Sequence, residues 1–456
     1  MTARALDRFR SSFDGEVVVP GDPDYDGARR VWSALFDRHP ALVARPKTVA
    51  GVAAAIRFAR ESDVPLAVRA GGHSVTGFST CDGGLVIDLS SMRGVTVDPE
   101  ARLARASGGA LLAELDRAAQ PRGLVCPVGV VGHTGVAGLA LGGGVGRLQR
   151  RFGLTLDNLA AVELVTADGR LVRATERDEP DLFSAMRGAG PNFGVVTALE
   201  FRLHAFGPNL ARGFRVYRPG EALVMWQAFR DIARTAPREL GLSFVVGRAV
   251  PEADYPAEIA GGPIVVVAFS YAGTEAAALA AVAPLGRAAD PVMETSGEKS
   301  YLEIQGTYDE AYGWGQRYYT CGGFADDLQL STIAALVDHA VTAPGDGSFT
   351  ASLQGGAIRD VPDEATAYAG RRAAFRTLAE AGWQDPGEDA AAFDWCRRAM
   401  AIAGPEGLVG RYVNEVFEDG TDPATIYGPD ILRHLVRVKQ AWDPDNVFRM
   451  NHNIRP

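Results

Sequence analysis

The stretch RAGGHSVTGF, residues 69–78, sets a histidine directly after two glycines in a chain that has only 7 histidines. Taken alone, such a residue reads as a polar group in a tight turn. Two further glycine-dense stretches change the reading: GLALGGGVG at 138–146 and RGAGPNFG at 187–194. Without a Cβ, a glycine loop lets its amides approach an anionic ligand closely, so all three loops suit a diphosphate. The third resembles a dinucleotide fingerprint only superficially: its spacing is wrong by one, and Pro191 sits where helix-opening amides would face a pyrophosphate. No cluster carries the lysine and hydroxyl of a nucleotide-triphosphate loop. The three loops together suggest one extended cofactor lying across them, which points towards flavin adenine dinucleotide (FAD).

Around these loops the pattern is mixed α+β. Residues 49–70 read as an amphipathic helix followed by a buried strand; 83–92, 94–109 and 161–175 read as strands broken by Asp/Gly turns, with a helix between the last two. Asp168-Gly169 between apolar runs signals a hairpin. From about residue 206 the texture changes to strands at 262–273, RYYTCGGF and SFTASLQGGAI, with a helix at 274–287. The segment 430–448 reads as a helix halted at Asp-Pro, followed by an extended tail.

Composition bounds the partners. A chain of 456 residues is long for one core, so two domains are expected. With 46 basic against 56 acidic residues the net charge is -10, which argues against nucleic acid or an anionic membrane as partner and leaves a small molecule. No run approaches the roughly 20 apolar residues of a membrane span, and no signal-peptide core is visible at the N-terminus, so a cytoplasmic protein is expected. The 4 cysteines lie far apart, without zinc-site spacing, and no metal site is expected. Monomer and dimer stay open.

The motifs in order are RAGGHS (69–74), GVAGLALGGGVG (135–146), GLTLDN (153–158), VTADGR (165–170), DLF (181–183), RGAGPNFGVV (187–196) and WDPDNVF (442–448). Together they resemble the berberine-bridge-enzyme-like branch of the vanillyl-alcohol oxidase / p-cresol methylhydroxylase superfamily. The resemblance covers about half the chain. It implies an α+β, two-domain FAD-binding fold of the vanillyl-alcohol oxidase type: 1–205 binding FAD, 206–404 laying an antiparallel sheet over the substrate, and 405–456 returning to the first domain.

The resemblance also implies roles. His73 would carry the 8α carbon of covalently bound FAD, with Arg69, Gly71, Gly72 and Ser74 along the diphosphate. A second, C6 attachment through Cys126 is raised by the segment CPVGVVGH, 126–133, which contains Gly132 and His133 but is one residue shorter than the bicovalent pattern. A buried structural cysteine is the alternative. Gly138, Gly142, Gly143, Gly144, Asp157, Asn158, Gly190, Asn192, Gly194 and Val195 match FAD-embracing positions, and Asn451 and Asn453 match residues that close over the flavin. Tyr319 and Gln354 are candidates from strands above the ring, and Tyr412 matches the catalytic tyrosine. An unperturbed phenol, with a pKa of about 10, needs a cation or hydrogen-bond donor to act as a base. Gly370 stands where relatives commonly have histidine.

The activity implied is an oxidase: hydride leaves an alcohol or amine C–H of a small-to-medium secondary metabolite for the flavin, and O2 reoxidises it to hydrogen peroxide. The branch includes antibiotic-tailoring oxidases. Rival readings are a flavin-bearing protein that sequesters an antibiotic and a dehydrogenase with another electron acceptor.

Overall fold

The computed structural model describes residues 2–249, 255–404, 410–417 and 420–456. The expected domain boundary at 405 therefore lies outside the described residues. Two small sheets build the N-terminal part. In the first, Leu42–Pro46 and Leu66–Arg69 both run parallel to Leu85–Asp88, and Gly15–Val18 pairs antiparallel on the edge. Helix Val49–Glu61 crosses between the parallel strands and starts where Thr48 accepts the amide of Gly51. The second sheet is antiparallel, ordered Val95–Asp98, Leu103–Ser107, Val195–Arg202, Leu159–Val165, Leu171–Ala174. Its last pair is the expected Asp-Gly hairpin.

A seven-stranded antiparallel sheet forms the second half, ordered Met293–Ser300, Asn209–Tyr217, Pro263–Tyr271, Leu240–Arg248, Ser348–Leu353, Phe375–Trp383 and Arg317–Ala325. Helices Ala222–Thr235, Leu330–Ala340 and Asp389–Ala403 cover one face, where Trp226, Phe229, Phe244, Phe349 and Trp395 form the core. The opposite face looks towards the N-terminal part. Period-two alternation makes this division explicit: Tyr319, Ala379 and Ala381 enter the helix-covered core, while Thr320, Arg376 and Glu380 point the other way, to partners at Glu415 and Tyr312.

Chain continuity between the halves is sealed at the end. Helix Pro429–Trp442 stops before Pro444, as its sequence requires, and the tail after it docks through Lys439.

One buried acid has no visible architectural reward. Asp116, on helix Leu112–Ala119, is 3% exposed and receives one hydrogen bond, from Gln305 Nε2 at 3.3 Å, while its Oδ1 has no partner. Burial raises its carboxyl to about 7, against the smaller lowering effect of the Gln305 bond. The folded-state value lies above the unfolded one, so stability is complete below about pH 4 and falls as pH rises towards 7. Asp116→Asn is expected to raise the thermal midpoint at pH 8 and leave it unchanged at pH 4; an unchanged midpoint at both would show that Asp116 is not the linked group.

Candidate active site

A largely apolar cleft of about 400 Å³ lies between the two N-terminal sheets, and two of its lining residues, Tyr312 and Glu415, reach the large sheet at Glu380 and Arg376. Residues 70–76, 129–131, 134–135, 137–139 and 141–142 contribute its glycine-rich walls; Trp32, Tyr312, Tyr412, Glu415 and Asn451 complete it. The walls meet at Gly71 and Gly135, whose backbones are so close that a Cβ on either would collide with the amide nitrogen of the other. Two loops distant in sequence can therefore share one cradle only as glycines.

Of the residues expected from the sequence, His73, Gly71, Gly72, Ser74, Gly138, Gly142, Asn192, Gly194 and Asn451 line this cleft. The oxygen of Asn451 and that of Asn453 are buried without a partner. A glycine cradle, an apolar floor and unpaired buried acceptors suit an elongated ligand with a diphosphate and a planar, N–H-bearing ring, and FAD fits that description.

Other expected residues support the site from behind. Arg69 holds its loop by ion-pairing Asp88 and donating to the Arg30 carbonyl at 2.7 Å. Asp157 pairs with the fully buried Arg371 and caps the amide of Leu154 at 2.9 Å. Asn158 donates to the carbonyls of Phe152 and Leu154 and meets His204 at 2.6 Å. Gly190 packs on Leu141, and Val195 lies in a hydrophobic core. Gly143 and Gly144 back onto Tyr412, and Gly132 and His133 reach Asp309 and His73.

Three expected residues lie outside the cleft lining. Tyr319 faces the helix-covered core, packed against Phe393 and Phe417, because it has the wrong parity on its strand. The Gln354 amide is buried with neither Nε2 nor Oε1 partnered, outside the cleft-lining residues. Cys126 is fully buried among apolar side chains rather than open to the cleft, and burial raises its thiol well above the ordinary range, which opposes thiolate formation.

Tyr412 is in the cleft, and the donors its chemistry asks for are present. Its Oη accepts the Gly144 amide and Asn414 Nδ2, each at 2.9 Å. They do not prevail: burial, then the neighbouring Glu415, push the phenol up to about 12. With that shift the phenol keeps its proton at neutral pH.

Glu415, three residues on, is the group the sequence reading passed over. It lines the cleft, its carboxylate accepts from Arg376, and its Oε2 is buried without a partner. Burial raises its carboxyl while Arg376 opposes the shift. Arg376 and Glu380 stand four apart on strand Phe375–Trp383, and Tyr312 donates to Glu380 at 3.1 Å; burial raises Glu380 to about 7. A polar run R-Y-V-N-E beside the expected tyrosine was the available signal. At residue 370 a side chain would strike the Phe324 ring, so that aromatic fills the space a histidine would need.

Among the described residues, no group of His, Cys, Asp and Glu could hold a metal ion, and no helix is long and apolar enough to cross a membrane. Residues 40–175 match the family model for an FAD binding domain, and 411–455 the model for berberine and berberine-like proteins. The chain is 30% identical to the (R)-6-hydroxynicotine oxidase of Paenarthrobacter nicotinovorans, over 98% of this chain and 97% of that one. The crystal structure of 6-hydroxy-D-nicotine oxidase from Arthrobacter nicotinovorans superposes with a TM-score of 0.87 at 28% identity, covering 98% of each chain. Glucooligosaccharide oxidase from Acremonium strictum, described with 6-S-cysteinyl, 8α-N1-histidyl FAD, has a TM-score of 0.88 at 22% identity over 99% of each chain, a likeness of fold.

Proposed function

The chain belongs to the berberine-like family of FAD-linked oxidoreductases, and from that premise we propose an oxidase of alcohols or amines whose FAD is joined covalently to His73. The observation that carries the proposal is that one cleft brings together a glycine cradle, His73 and a carboxylate with an unpaired oxygen, Glu415. When bound, FAD supplies the hydride acceptor and passes its electrons to O2, giving hydrogen peroxide. Gly71, Gly72, Ser74, Gly138, Gly142, Asn192, Gly194 and Asn451 would hold it. Residues 1–205 and 405–456 form the cofactor part in this reading and 206–404 the substrate part.

The protein's own contribution is to hold the substrate and move a proton. Glu415 accepts the proton of the substrate hydroxyl or ammonium as the C–H bond breaks, and Arg376 fixes its carboxylate. Tyr412 donates a hydrogen bond to the same substrate heteroatom. The large sheet and Trp32 exclude water, with Trp32 stacked on Tyr318 at 4.0 Å. Burial of Cys126 in the core supports a single attachment, and the substrate class is a small-to-medium secondary metabolite.

Two measurements test this. Acid denaturation of the purified protein is expected to leave flavin on the peptide containing His73 and none on that containing Cys126, and His73→Ala is expected to release it all. A panel of secondary alcohols and cyclic amines is then screened for peroxide. Tight ligand binding with no flavin reduction by any of them would instead indicate a sequestering protein.

A further inference from the structure

Chain segments far apart in sequence converge on His73. Its Nε2 lies 2.6 Å from Nδ1 of His133, and Nε2 of His133 lies 3.1 Å from the backbone oxygen of Asp309. Trp32 stacks on the His73 ring at 4.7 Å, and Trp314 meets it edge-on at 6.4 Å. The Asp309 carboxylate accepts the Gly132 amide at 2.6 Å, which ties the carbonyl and His133 into one rigid unit.

The carbonyl decides where the protons are. A backbone oxygen can only accept, so Nε2 of His133 carries hydrogen, and the neutral ring keeps its lone pair on Nδ1. That lone pair accepts the proton on Nε2 of His73. By elimination, the free lone pair of His73 is on Nδ1. Burial and the nearby His133 lower His73 to about 3, which keeps the ring uncharged.

We propose that His133, oriented by the Asp309 carbonyl, is the positioning residue for flavin attachment: it directs the new bond to Nδ1 of His73 and takes the Nε2 proton as that bond forms. The inference rests on the reading that His73 carries FAD. A bond forms between Nδ1 and the 8α carbon, and one C–H bond of that carbon breaks. The two protons released come from the 8α carbon and, through His133, from Nε2; the electron pair goes to dioxygen, which with two protons becomes hydrogen peroxide. Without proton removal from Nε2 the product would be a buried imidazolium, a charge this apolar site does not pair.

The test uses the full chain with wild-type His73 and either His133→Ala or His133→Gln, incubated with FAD in air. Acid-stable flavin is followed over time by absorbance of the precipitated protein and by intact mass. Both variants are expected to bind FAD, seen in the visible spectrum, yet attach it at least about a hundredfold more slowly. Added imidazole is expected to speed attachment in His133→Ala and to do nothing in His73→Ala. Glutamine keeps the side-chain volume and an acceptor oxygen but cannot hold the extra proton, so it stands in if the alanine variant does not fold. Wild-type rates in His133→Gln would overturn the proposal while leaving His73 attachment intact; release of flavin by acid from the wild type would overturn both.

Discussion

Glu415→Gln is expected to slow substrate reduction of the flavin about 10²–10⁴-fold, the range general base catalysis supplies, while flavin content and attachment stay as in the wild type. The amide is nearly isosteric and still accepts from Arg376, so the cleft keeps its shape; what is lost is the capacity to take a proton, together with the charge that pairs with Arg376. The pH profile separates this from a structural effect. Glu415 works when ionised, and burial raises its carboxyl, so wild-type kcat/KM should climb as pH rises through that value. The variant should lack this limb. Tyr412→Phe, by contrast, removes an acceptor for the Gly144 amide and Asn414 but no base, because the phenol stays protonated up to about 12. Of its bonds only the one donated to the substrate bears on the reduction step, so the loss of rate should be about tenfold or less, typical of one hydrogen bond of modest net strength. A severe loss in Tyr412→Phe with a mild one in Glu415→Gln would assign the proton to the phenol. Stopped-flow reduction under anaerobic conditions, using whichever alcohol or amine gives peroxide, is the measurement.

The largest expected effect on stability comes from Lys439→Met. Lys439 and Asp443 are each 0% exposed and pair at 2.7 Å. The ammonium also donates to the carbonyls of Asn192 at 2.8 Å and Phe448 at 2.9 Å, and Asp443 accepts the amides of Val447 and Phe448. Removing the cation strands a buried carboxylate, a loss of about 3–5 kcal/mol. Since Asn192 and Asn451 both line the cleft, flavin binding should weaken with it. The double variant Lys439→Met/Asp443→Asn should recover much of the stability, because the stranded charge rather than the missing bond is the main cost. Chemical denaturation of the three proteins measures this; a loss below about 1 kcal/mol in the single variant would mean that the pair is solvated on opening.

The parts of the site built from local backbone were legible in the sequence. The loops at 69–74 and 138–146 announce themselves by glycine, and most of their residues fall on the cleft. The hairpin at Asp168-Gly169 and the stop of the last long helix before Pro444 follow from turn and proline chemistry in the same way. What required long-range pairing was not legible. RYYTCGGFA is buried along nearly its whole length, because helices cover one face of its strand and the cofactor part covers the other. With both faces buried, hydropathy gives no parity, and Tyr319 could not be told from its neighbours. Cys126 presents the same difficulty in a loop. Glu415 acquires its meaning from Arg376, on a strand that sequence spacing alone does not bring near. His133 acquires its own from Asp309, a residue of the other half of the chain.

The meeting of Gly71 with Gly135, closed over by Glu415 and Asn451, also sets an order of events in time. A nascent chain with both glycine loops synthesised still lacks the walls that come from the segment after residue 410, so it cannot yet enclose a flavin. Attachment at His73 would then act as a record that folding has finished, and yellow colour surviving acid would count the molecules that completed it.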